Sequence, residues 1–127
     1  MISRAIYSLL SANAALTALV GTKIYPLRTP QTVEQPFVIY ALSGDPVDTK
    51  DGVAIQEVYE LQVTAFAKSY ETGQGIVTAV RSALDRKSGL VHSNKIQTIV
   101  YEDSRENYDD KAELYQFDIA FTIRLNY

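Results

Sequence analysis

The sequence predicts a single α+β domain: a four-stranded, mainly antiparallel sheet with two helices packed on one face, in the order α-β-β-α-β-β. Three observations predict it. The last segment, Tyr115 to Tyr127, alternates apolar and polar residues, the period-two mark of a strand with one buried face. The opening segment and Tyr70 to Asp85 space their apolar residues by three and four, the mark of an amphipathic helix. Connections within each strand pair are short, which favours antiparallel hairpins.

The elements follow in chain order. Ile2, Ile6, Leu9 and Leu10 form one helical stripe, and Leu16, Leu19 and Val20 continue it. Ser11 or Asn13 suits a cap, with a kink or break near Ala12. Gly21 suits the position that ends a helix. Thr22 to Gln35 contains Pro26 and Pro30 and is followed by Pro36, so an irregular connector is expected. Phe37 to Leu42 is a continuous apolar run, a strand buried on both faces. Gly44-Asp45-Pro46 is expected to end it, and Asp45 to Ala54 to form an exposed polar hairpin loop. Tyr59 to Ala67 alternates again, with Phe66 out of phase.

Tyr70 to Asp85 buries Ile76, Val77, Val80, Ala83 and Leu84, with Ser69 as N-cap and Glu71 in the first turn. Gly73 and Gly75 each cost about 1 kcal/mol relative to Ala there, so the start of this helix is its weak part. Lys95 to Glu102 is the third strand and Asp103 to Lys111 a charged loop. The final strand is longer than usual and is expected to project from one end of the sheet. The two αββ halves look alike in pattern, without repeated sequence.

Composition bounds the function. The 127 residues, 46% hydrophobic and 21% charged, suit one globular domain over residues 1–127. A net charge of −3 argues against a nucleic-acid binder. The absence of cysteine suggests a reducing compartment, the cytosol. The opening apolar run is broken by Ser8, Ser11 and Asn13 and carries only Arg4 as a base, so a helix is expected rather than a signal peptide. No run approaches the ~18 apolar residues of a membrane span.

No constellation for catalysis, a metal or a cofactor stands out. His92 is the single histidine. It lacks an evident orienting acid and reads as an exposed loop residue. Asp45, Asp48 and Asp51 are spaced by three, without the closing Glu of a calcium loop. Gly73-Gln74-Gly75 lacks the Lys-Ser/Thr of a phosphate loop. The acidic stretch holding Glu102, Asp103, Glu106, Asp109 and Asp110 also carries Arg105 and Lys111. It is a solvated turn or a docking surface for a basic partner. Of nine tyrosines, Tyr40 and Tyr59 suit the core, whereas Tyr108 and Tyr127 suit interface anchors.

The stretch LLSANAALTALVGTKIYPLRTPQTVEQPFVIYALSGDP resembles the opening of the tail-completion family of long-tailed phages. The matching parts are Ala14 to Leu19, Val20-Gly21, Ile24-Tyr25-Pro26 and Pro36 to Leu42. YELQVTAFAKSYETGQGIVTAVRSALD is similar to that family's middle strand and second helix, and residues 117–123 to its closing strand. The family is similar to the lambda-type tail terminator.

The resemblance implies a ring, usually hexameric, on the head-proximal end of the tail tube. Such a ring stops tube polymerisation and meets the head connector. The implied partners are further copies of the chain, the major tail tube protein and the head completion protein, with no cofactor, membrane or nucleic-acid sequence recognition. The implied locations are the bacterial host cytoplasm during assembly and the virion neck afterwards.

Such a ring needs two different patches per subunit. The exposed final strand suits one, by strand addition. Asp48, Lys50 and Asp51 on the polar hairpin suit docking, as do Arg105, Tyr108 and Tyr127. The rival function is a small-ligand or regulatory binding module on a ferredoxin-like sheet, which the fold alone leaves open; an enzyme is the third.

Overall fold

The computed structural model describes residues 2–26, 36–48, 54–91, 94–110 and 113–126. Three helices cover one face of a six-stranded mixed sheet. The helices are α1 (Ile2–Ser11), α2 (Ala14–Val20) and α3 (Tyr70–Leu84). The strands are β1 (Ile24–Pro26), β2 (Phe37–Asp48), β3 (Ala54–Ala67), β4 (Gly89–Val91), β5 (Asn94–Asp109) and β6 (Leu114–Asn126). Their spatial order is β1-β2-β3-β6-β5-β4.

The expected four-stranded sheet with two helices is therefore corrected. The opening helix divides because the Asn13 side chain accepts the Leu16 N–H at 2.9 Å and starts a new helix. Gly21, at φ +61°, closes α2 by donating its N–H to Thr17 O at 2.8 Å. The expected connector contains β1, which pairs parallel to β2, Ile24 beside Val38 and Tyr25 beside Ile39. Pro26 ends β1 on the sheet's edge, where its missing N–H deprives no ladder. At the other edge β4 pairs with the start of β5.

Two further segments expected as irregular are strand. β2 does not stop at Gly44 but pairs with β3 as far as Asp48. Gly44 makes this possible. A methyl group there would collide with the Val58 carbonyl and lie 2.7 Å from Tyr59 Cα. Asp45 and Asp48 therefore belong to β2, while Lys50 and Asp51 lie outside the described residues. The charged segment from Asp103 is strand to Asp109. Its alternation is disguised by bulges, where the register against β6 shifts between Ile96 and Thr98 and again between Tyr101 and Asp103.

The final strand does not project as a free edge. β6 is bonded to β3 on one side and β5 on the other along nearly its whole length, so it cannot take up another strand. Tyr127 lies outside the described residues.

The core lies between helices and sheet. α1 contributes Ala5, Ile6 and Leu10, and α2 contributes Leu16 and Val20. α3 contributes Ile76, Ala79, Val80, Ala83 and Leu84. Beneath them lie Val38 and Tyr40 of β2, Leu61, Val63 and Ala65 of β3, Ile99 of β5 and alternate residues of β6 from Phe117 to Leu125. Tyr40 joins this core as expected, and Tyr59 packs half-buried against it. Phe66 is out of phase because it faces the other way, stacking on Phe37 at 4.9 Å between ring centres.

Gly73 serves packing. It is buried, and a methyl group there would run into three atoms of the Phe117 ring. The glycine lets α3 settle directly on β6, which accounts for half of the Gly-Gln-Gly signal without any phosphate chemistry.

Candidate functional site

The strand alternation that buries one face of the sheet leaves the other without a helix among the described residues. This outer face presents Ile39, Ala41 and Ser43 of β2, then Glu60, Gln62 and Thr64 of β3. Asp118, Ala120 and Thr122 of β6 follow, then Asp103 and Arg105 of β5. A shallow depression of about 440 Å³ lies over Ala41, Ser43, Glu60, Gln62, Ala120 and Thr122.

The polar groups here satisfy one another. Thr64 Oγ1 donates to Asp118 Oδ1 at 2.9 Å, and Gln116 Nε2 donates to the same carboxylate at 3.3 and 3.4 Å. Arg105 sits opposite Asp118 in register. A carboxylate already holding a hydroxyl and an amide is a structural acceptor. Among the described residues, no three His, Asp or Glu side chains gather as metal ligands. His92 lies outside them.

The second surface is a cluster of tyrosines where α3 begins and the β5–β6 hairpin turns. Ser69 caps α3 as expected, accepting the Thr72 N–H at 3.5 Å. This places Tyr70 over the end of the sheet. Tyr70 meets Tyr115 edge-on at 5.5 Å and tilts against Phe117 at 5.7 Å. Tyr108 meets Tyr115 edge-on at 4.9 Å. The Tyr70 hydroxyl donates to Glu106 Oε2 at 2.7 Å.

These rings are nonetheless open to solvent: Tyr70 is 39% and Tyr108 45% exposed. The hydrogen bond to Glu106, foremost, raises the Tyr70 pKa above 10.0. The Tyr108 pKa is raised by partial desolvation and then by Glu113, Tyr115, Asp110 and Asp109. A negative field thus surrounds the rings.

The third surface is a cationic corner at the far end of α3. Arg81, Arg86 and Lys87 are exposed there. The Arg81 guanidinium lies 3.9 Å over the Tyr101 ring. Asp85 Oδ1 accepts the Tyr101 N–H at 3.1 Å, and the Arg86 N–H donates to the Ile99 carbonyl at 2.6 Å. These bonds fasten the corner to the edge of β5.

The residues singled out in the sequence are not brought together. Tyr108 joins the tyrosine cluster on the helix side, whereas Arg105 faces the outer side of the same strand. Asp48 sits at the tip of β2 opposite Ala54, thirteen residues along β3 from Ala67, which neighbours Tyr115. At about 3.3 Å per residue the two ends are roughly 40 Å apart. Tyr70 and Tyr115 are not among the sequence candidates, whereas Glu106 belongs to the acidic stretch that suits docking to a basic partner. The charged composition of 103–111 carries no sign of the register that sets Tyr108 opposite Tyr115 and Glu106 opposite Phe117.

The family model for tail completion protein gp17 matches residues 4–126. The chain belongs to the tail completion protein gp17 family. Its membership makes it a structural protein of phage-type tails, the class the sequence resemblance implied. A chain from the virion of a native gene transfer agent particle shares its fold. That chain is 22% identical with a TM-score of 0.83, over 99% of this chain and 95% of the other. A second solved chain, 9% identical, superposes with a TM-score of 0.68 over 98% and 96%. None of the curated proteins matches this family member in sequence. Among the described residues, none of its helices is long and apolar enough to cross a membrane.

Proposed function

We propose that the chain assembles into a ring, a hexamer, on the head-proximal end of the tail tube. The ring ends tube polymerisation and offers its other side to the head completion protein. Membership of the tail completion family over residues 4–126 carries this reading. The distribution of surfaces supports it. A ring subunit must meet two neighbours through different patches, and here also a tube and a connector. The outer sheet face, the tyrosine end and the cationic corner are three distinct surfaces on separate parts of the fold.

Within this reading Asp48, Lys50 and Asp51 dock to the tube or connector. Arg105, Tyr108 and Tyr127 serve other contacts, because Arg105 and Tyr108 face opposite sides of β5. The protein acts without catalysis, in the host cytoplasm during assembly and in the virion neck afterwards. Light scattering across a concentration series, alone and with purified tail tubes, tests this. The expected result is a ring mass, either free or on tube ends. A stable monomer or dimer without affinity for tubes contradicts it and favours a ligand-binding module.

A further inference from the structure

The tyrosine end and the cationic corner lie apart along one strand edge, at the end and near the middle of β5. Residues 106–113, at the tyrosine end, carry four carboxylates against Lys111. Residues 81–87 carry three cations (Arg81, Arg86 and Lys87) against Asp85. Both groups are tied to β5. Arg86 is bonded to Ile99, and Tyr108 lies nine residues further along the same strand. At about 3.3 Å per residue they stand roughly 30 Å apart. β4 pairs with β5 only as far as Ile96, so it leaves the intervening edge uncovered.

Opposite charges that far apart on one rigid sheet cannot meet within a molecule, but they can meet between two. The tyrosine end suits such a contact. Its rings are fixed by one another and by Glu106, so docking costs little side-chain entropy. Aromatic faces beside carboxylates accept guanidinium groups well, and Arg81 already lies over a tyrosine ring within the chain.

We propose that the tyrosine cluster of Tyr70, Tyr108 and Tyr115, with its rim of carboxylates, receives the cationic corner of a second copy of this chain. The contact joins two different patches, so it repeats head to tail and closes a ring when the rotation permits. This inference rests on the ring reading above and deepens it by naming the subunit contact.

Two charge-reversed variants test it: Asp110→Lys with Glu113→Lys, and Arg86→Glu with Lys87→Glu. Sedimentation velocity, alone and with tail tubes, gives the mass, and circular dichroism checks each fold. Each folded variant is expected to lose the assembly that wild type makes, and an equal mixture of the two to recover it. Tyr108→Ala is expected to weaken assembly at least tenfold while keeping the fold. Two results overturn the contact: folded reversed variants that assemble like wild type, or a mixture that stops at dimers. A wild type that assembles neither alone nor on tubes overturns the ring reading itself.

Discussion

Replacing Gly73 with alanine separates a helix-propensity argument from a packing argument, because the two predict opposite signs. By propensity alone, Gly to Ala inside α3 stabilises by about 1 kcal/mol. In the fold, the new methyl group meets Phe117, with even the Cδ2 atom only 2.7 Å away. Phe117 is 2% exposed and sits under Tyr70, so the ring has no free space to enter. Overpacking of this kind costs about 1–3 kcal/mol. Overlap with three ring atoms places the cost at about 3 kcal/mol, and the propensity gain leaves a net loss of about 2 kcal/mol. For a domain of this size that lowers the melting temperature by roughly 6–10 °C.

Gly75→Ala is the control. Its methyl group would lie 3.3 Å from Leu19 Cδ1, the end of a flexible side chain, so the change is expected to stay within about 1 kcal/mol. Thermal and urea unfolding of both variants measure this. The reasoning is refuted if Gly73→Ala is as stable as wild type or more so. Adding Phe117→Leu should recover part of the loss.

Three further predictions concern other parts of the fold. Gly44→Ala, at φ +155° and against the Val58 carbonyl, should cost about 2 kcal/mol and loosen the β2–β3 pairing; urea unfolding and amide exchange over 42–48 read it. Asn13→Ala removes the cap of α2 and should cost about 1 kcal/mol by thermal melting. The Tyr70 pKa is raised above 10.0 chiefly by Glu106. Its folded-state value therefore exceeds the unfolded one, and the stability it contributes is present below pH 10 and lost as pH rises through the folded value. Tyrosinate absorbance during alkaline titration should show a late-ionising component that Tyr70→Phe or Glu106→Gln diminishes.

Much of the fold is legible from periodicity where packing repeats regularly. β6 keeps strict alternation because every second side chain enters one core. α3 keeps its stripe, and Ser69 and Gly21 act at helix ends as their chemistry suggests. Legibility fails where the physics is non-local. β1 is three residues next to prolines, and only its pairing with Val38 to Tyr40 makes it a strand. Gly44 looks like a terminator until Tyr59 is set opposite it. Bulges at Gln97 and Glu102 shift the phase of β5, so a strand that carries Glu106 and Tyr108 inward looks like a charged loop. The candidate surfaces depend on the same shift: Tyr108 stands out as an anchor by residue type, whereas its companions Tyr70 and Tyr115 follow only from the register.

Electron microscopy of tail tubes grown from the cognate major tail tube protein, with and without this chain, tests the central claim most directly. The account predicts a ring of extra density at one end of each tube and tubes that stop growing at that end. Density along the tube walls, or tubes that elongate equally at both ends with the protein in excess, would contradict it.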